Sequence, residues 1–266
     1  MYHYFRTHMR TFRVFALAAS FVGMLPALGS ADTIAAHLER GDALYRQFDN
    51  RGALQEYESA YRASPTDFVV LARMTRIYND LGRLEMDTNG GGKEENFKAV
   101  EYAEQMRTLY PNRAETYFWL ALAKGSTARF LGIKDKAKVG KSVEEYARKA
   151  IELDPQYSHA YMILGIFYRM AGDLSWFEKV VARTVFGTDF EGTFEQSVEM
   201  LRKSIELDPT NIYAYYELGR TYGAMEHEDE AIRTYQAVLA MHPQSLREQR
   251  LQLEVEHRIA SGMTSE

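Results

Sequence analysis

Residues 214–243 read AYYELGRTYGAMEHEDEAIRTYQAVLAMHP. Tyr215, Leu218, Gly219 and Tyr222 fall on one stripe of a first helix, Ala231, Tyr235 and Val238 on one stripe of a second, and Pro243 closes the unit. Spacings of three and four residues put each set on a single helical face. Gly219 and Ala231 are small enough to let two antiparallel helices approach closely, and the proline cannot continue the second helix. The same closing proline recurs at Pro65, Pro111, Pro155 and Pro209, at intervals of 46, 44, 54 and finally 34 residues. A lone pair of short amphipathic helices cannot bury its apolar faces, so repetition of this unit commits the chain to an all-α stack in which each pair packs on the next.

The unit resembles a tetratricopeptide (TPR) repeat, whose standard length is 34. First-helix stripes recur at Leu71, Met74 and Tyr78, at Tyr117, Leu120 and Ala121, and at Tyr161, Leu164, Gly165 and Tyr168. Second-helix stripes recur at Ala53, Tyr57 and Ala60, at Ala99, Ala103 and Met106, at Val143, Ala147 and Ala150, and at Ser197, Leu201 and Ser204. The excess over 34 therefore lies between the two helices of a unit, on one edge of the stack. The predicted fold is all-α, a TPR-like α-α superhelix of about five helix pairs with enlarged intra-repeat connections and a C-terminal capping helix. Its single domain spans 32–262, with units near 34–65, 68–111, 114–155, 158–209 and 212–243 and a cap over 244–262. SVEE at Ser142 and TFEQ at Thr193 read as capping boxes that restart a second helix after Gly140 and Gly192. In DLSWFEKVVARTVFG, residues 173–187, the spacing of Trp176, Phe177, Val180, Val181 and Phe186 predicts an amphipathic helix extending the fourth unit. NGGGK, at 89–93, reads as a mobile loop.

At the other end, Arg6, Arg10 and Arg13 precede VFALAASFVGMLPALG and then the small residues GSAD. This pattern predicts a signal peptide over 1–31, cut after Ala31 or Gly29, and an exported protein of the periplasm or the medium; an uncleaved N-terminal anchor is the alternative. Met9 offers a second start. Removing residues 1–31 takes away three positive charges and no negative ones, leaving (32 − 3) − 37 = −8. Such an acidic chain is a poor partner for nucleic acid. With no cysteine it has neither disulfides nor thiolate chemistry, and packing must supply its stability.

Five stretches narrow the resemblance further: WLALAKG, ARKAIELDP, LGIFYRMAGDLSWFEK, SIELDP and LGRTY. Together they resemble the regulator of microtubule dynamics family over roughly residues 95–243, most specifically at Leu174, Ser175, Trp176 and Glu178. That family consists of eukaryotic TPR proteins, some at contacts between mitochondria and endoplasmic reticulum, with relatives in bacteria. This chain departs from it in its export signal, in NGGGK, and at Phe167, near which the family has a tryptophan. The resemblance implies an interaction scaffold, or a repeat domain that binds and moves phospholipid, as one member is credited with doing.

TPR ligands usually lie in the groove lined by the first helices. In the register above, that groove takes in Arg76, Asn79, Phe118, Leu122, Met162, Ile166, Arg169, Met170, Tyr213, Tyr216 and Arg220. The Lys, Asn and Arg clamp with which some TPR grooves grip a terminal carboxylate is not visible. An apolar centre with arginines nearby suits a protein or peptide partner, or alternatively a phospholipid or other apolar ligand. The groove can instead be core, filled by the inserts or by the C-terminal helix. No catalytic residue, metal or cofactor is predicted. GKS at 140–142 has Asp135 where a phosphate loop needs glycine, and the histidines lack metal-ligand spacing. The expected function is a non-enzymatic scaffold.

Overall fold

The computed structural model describes residues 28–187 and 190–262. The expected signal segment before Leu28 and the side chains of Trp176, Phe177, Val181, Val185 and Phe186 lie outside the described residues. Helices pair in chain order: α1 (Leu28–Arg46) with α2 (Asn50–Ala63), α3 (Phe68–Asn89) with α4 (Lys93–Leu109), and α5 (Ala114–Thr127) with α6 (Ile133–Leu153). Next, α7 (Ser158–Asp173) pairs with α9 (Phe194–Leu207) across the inserted α8 (Trp176–Phe186). Finally α10 (Ile212–Ala224) pairs with α11 (Glu228–Leu239), and α12 (Leu246–Ala260) follows. No strand is present among the described residues. The fold is a TPR-like helical superhelix.

Local chemistry sets the boundaries. Asp49, Asp67, Asn211 and Ser245 each accept a hydrogen bond from a free backbone N–H of the helix they precede. Ser175 with Glu178, and Thr193 with Gln196, form reciprocal capping boxes that start α8 and α9. Small residues then set the depth of packing. A side chain on Gly41 would collide with the Tyr57 ring, and one on Gly219 with the Tyr235 ring, so the first and fifth pairs interlock in the same way. Gly165 makes room for Leu201 in the fourth. Tyr57 and Tyr235 are both fully buried, but their hydroxyls differ in fate. Tyr57 donates to Asp42, next to Gly41, whereas the residue next to Gly219 is Arg220, which cannot accept, and the Tyr235 hydroxyl has no partner.

Two expectations are corrected. Ser142 does not start a helix: α6 runs unbroken from Ile133, and the Ser142 hydroxyl donates to the Lys138 carbonyl at 3.0 Å. Gly140 does not interrupt it, and the Phe190 ring occupies the place where its side chain would stand. NGGGK is a tight turn. Gly90 and Gly92 both adopt left-handed backbone (φ 74° and 83°), and a Cβ on Gly92 would strike the Gly82 carbonyl. The enlargement of the second unit thus consists of longer helices, and in the third α6 begins early.

The core runs the length of the stack in two main clusters. One joins α1 through α5, the other α5 through α12, and Trp119 and Tyr146 pack against both.

Candidate partner site on the first-helix face

The first helices α1, α3, α5, α7 and α10 share one face, and α12 packs on α11 and α10 with its start reaching across that face. Arg247, at the start of α12, donates Nη1 to Asp80 Oδ1 of α3 at 3.3 Å, across 167 residues of sequence. A contact between the second unit and the cap, with the third, fourth and fifth units between them in sequence, requires this face to be the inner side of a curve. At the far end of α12, Glu254 accepts from the Tyr216 hydroxyl at 2.6 Å and from Arg258 at 3.0 Å. Between these anchors Leu251 and Val255 are buried. The cap does more than solvate the last repeat, since it also ties that repeat to the second.

Around Asp80 the polar groups form a chain. Tyr45 donates to Asp80 Oδ2 at 2.6 Å, and the Arg76 guanidinium sits 4.0 Å over the Tyr45 ring. Arg76 also donates to the Tyr57 hydroxyl and to Asp42, which Arg73 grips with two hydrogen bonds of 2.8 and 3.0 Å. Arg247 in turn lies 4.9 Å over the Tyr213 ring. Burial would raise the Asp42 pKa, but the hydrogen bonds from Arg73 and Tyr57 and the two arginine charges hold it below the usual carboxylate value. Burial alone would lower the Arg247 pKa, yet Tyr213 and Asp80 raise it above the ordinary arginine value. Burial and the Asp80 charge push the Tyr45 phenol well up. These groups are fixed as structural charges, with no free base or nucleophile among them. Among the described residues, no group of three His, Asp or Glu side chains is arranged to hold a metal.

Most of the residues expected to line the groove fall into three sets. Phe118 and Met162 are buried (5% and 4% exposed), Phe118 against Trp119, Tyr157 and His159, while Leu122 and Ile166 pack half-buried beside them. Arg76, Tyr213 and Tyr216 belong to the polar contacts just described. Arg169 is buried and meets Glu217 at 3.3 Å, and Arg220 meets the same carboxylate at 3.4 Å. Met170 stands apart, 58% exposed near the end of α7. Asn79 accepts from Ser126 at 2.7 Å. Sequence reasoning missed Asp42, Tyr45, Asp80, Glu217, Arg247 and Glu254. Asp42 carried a local signal in its place beside Gly41; Asp80 and Arg247 carried none.

The cavity beside Arg247 measures about 220 Å³ and is lined by Arg83, Met86, Asn96, Gly125, Ser126, Arg129 and Arg247. A larger recess of about 580 Å³, between Tyr161 and the Glu195–Glu206 side of α9, is edged by charged residues and open to solvent.

Comparison with known proteins follows the same lines. A thermophilic TPR protein of Thermus thermophilus superposes with a TM-score of 0.63 at 19% identity, covering 86% of this chain and 98% of that one. PilW, a type IV pilus biogenesis factor, superposes with a TM-score of 0.52 at 18% identity over 89% and 94% of the two chains. Both likenesses concern the fold. In sequence, the chain is 26% identical to regulator of microtubule dynamics protein 1 of Bos taurus over 70% of its own length and 58% of the relative's. It is 28% identical to regulator of microtubule dynamics protein 3 of Mus musculus over 57% of its length and 31% of that protein's. The chain thus spans at most about three-fifths of these relatives. The sequence profile of regulator of microtubule dynamics proteins 1–3 matches residues 37–262, from α1 through α12, and the chain belongs to that family.

Proposed function

We propose that this chain is an exported, non-enzymatic scaffold that holds a protein or peptide partner on its first-helix face. The observation that carries the reading is α12 itself. It is an amphipathic helix held to that face by the Arg247–Asp80 ion pair at one end and by the hydrogen bond from Tyr216 to Glu254 towards the other, with Leu251 and Val255 buried, the pattern by which a groove takes a helical partner. A phospholipid would need a hollow. Phe118 and Met162 are buried, and about 220 Å³ lined mainly by polar groups is smaller than the roughly 300–1,000 Å³ of small-molecule sites. The charge balance disfavours nucleic acid, and the N-terminal pattern of arginines, apolar run and small residues supports export.

Met170 provides the test, because an exposed residue can be changed without disturbing the core. Cross-linked partners recovered with the wild-type protein should be lost with Met170→Glu at an unchanged melting temperature. The same partners with both proteins, or phospholipid extracted from the purified protein in stoichiometric amount, would oppose the reading. For export, N-terminal sequencing of protein from its native host should begin near Ala31 or Asp32. An intact Met1 or Met9 in the membrane fraction would indicate an anchor.

A further inference from the structure

We infer that the turn joining α5 to α6, beside the first-helix face, is a docking site for an anionic lipid surface. The segment from Ala128 to Lys141 reads ARFLGIKDKAKVGK. It carries Arg129, Lys134, Lys136, Lys138 and Lys141 against one acid, Asp135, a net 5 − 1 = +4 in a chain whose total is −5. All five basic side chains are exposed. They surround an apolar tip: Phe130 and Leu131 are half-buried in the 3-10 turn, and Ile133, the first residue of α6, is 73% exposed. That makes Ile133 the most exposed of the large apolar side chains described.

The packing shows why these charges are all exposed. Ala137 is the only buried residue between Gly132 and Lys141, so the first turns of α6 project with their lysines free to spread around the helix. The Arg129 guanidinium lies 5.6 Å over the Phe130 ring, which keeps a cation beside the apolar tip. Lys138 is 3.6 Å from Asp135, and Lys141 is 3.0 Å from Glu144, pairs that hold those two heads near their own helix; Lys134 and Lys136 are exposed.

An apolar tip ringed by cations matches the boundary between lipid headgroups and acyl chains: the lysines meet headgroup phosphates while Ile133 and Phe130 enter the apolar layer. Clusters of four to eight basic residues are typical of such sites. Of this patch only Arg129 lines a described cavity, so the apolar tip and its lysines offer an open surface and not a recess. The patch belongs to the third unit; the corresponding turn of the fifth, EHEDE at 226–230, is acidic. The surface therefore approaches by one corner.

The test is flotation of the full chain with two sets of vesicles, phosphatidylcholine alone and phosphatidylcholine with phosphatidylglycerol at about 3:1. Binding is expected to the anionic vesicles only, and to weaken as salt rises from roughly 0.1 to 0.5 M. Lys134→Glu/Lys136→Glu should lower partitioning about tenfold or more, and Ile133→Ser should lower it several-fold, both at an unchanged melting temperature. Overturning results are absence of vesicle binding, equal binding to both vesicle types, or binding that neither variant reduces. Retention on immobilised poly-glutamate without vesicle binding would also overturn it, in favour of an acidic protein surface.

Discussion

Gly219→Leu should cost the protein about 3 kcal/mol, the upper end of overpacking penalties, because even the first added carbon overlaps the Tyr235 ring. Tyr235 cannot yield: it is fully buried between α10 and α11 and packs 6.4 Å from the Tyr216 ring. Either the ring is expelled or the helix pair separates, and separation also strips the base on which α12 rests. For a chain of this size that loss corresponds to a fall of roughly 6–12 °C in melting temperature. Gly125→Ala is the matched control. Gly125 is an exposed glycine of α5 whose added carbon would come no nearer than 3.7 Å to Val143, so alanine should be neutral or stabilising by up to about 1 kcal/mol. Equal melting temperatures for Gly219→Leu and wild type would mean that the fifth pair does not interlock through this glycine.

Much of the fold was legible because its determinants are local. Gly219 and Ala231 with Tyr222 and Tyr235 show where two helices meet within some fifteen residues, and the closing prolines count the units. The capping box at Thr193 could be read for the same reason. An equally good local motif at Ser142 misled, because the preceding stretch is itself helical, with Phe190, some fifty residues on, packed over Gly140. The face itself followed from the register, but its state did not. Whether Met162 and Phe118 line a hollow or sit in core depends on how tightly the stack curves and where α12 comes to lie. Nothing in the sequence near Asp80 points to Arg247. Long-range charge pairing of this kind leaves no periodicity to read.

That pairing is also where the second large effect is expected. Asp80 is 5% exposed and takes hydrogen bonds from Tyr45 and Arg247. Asp80→Asn keeps the shape and the Tyr45 contact but removes the charge, stranding a half-buried Arg247 guanidinium between Tyr213 and Tyr45. Removing one member of a buried ion pair typically costs about 3–5 kcal/mol; with the Arg247 side chain still 25% exposed, about 2–3 kcal/mol is expected here. Arg247→Met should cost a similar amount by leaving the Asp80 carboxylate without its cation. The double variant should lose far less than the sum, since an amide facing a thioether leaves no buried charge.

The closure of the first-helix face by α12 is therefore tested most directly by that double-mutant cycle, read by reversible denaturant unfolding of wild type, Asp80→Asn, Arg247→Met and the pair. A coupling energy of about 2 kcal/mol between residues 167 apart in sequence is the predicted result. Losses that add to within about 0.5 kcal/mol would contradict it, and would mean that α12 does not reach the second unit in solution.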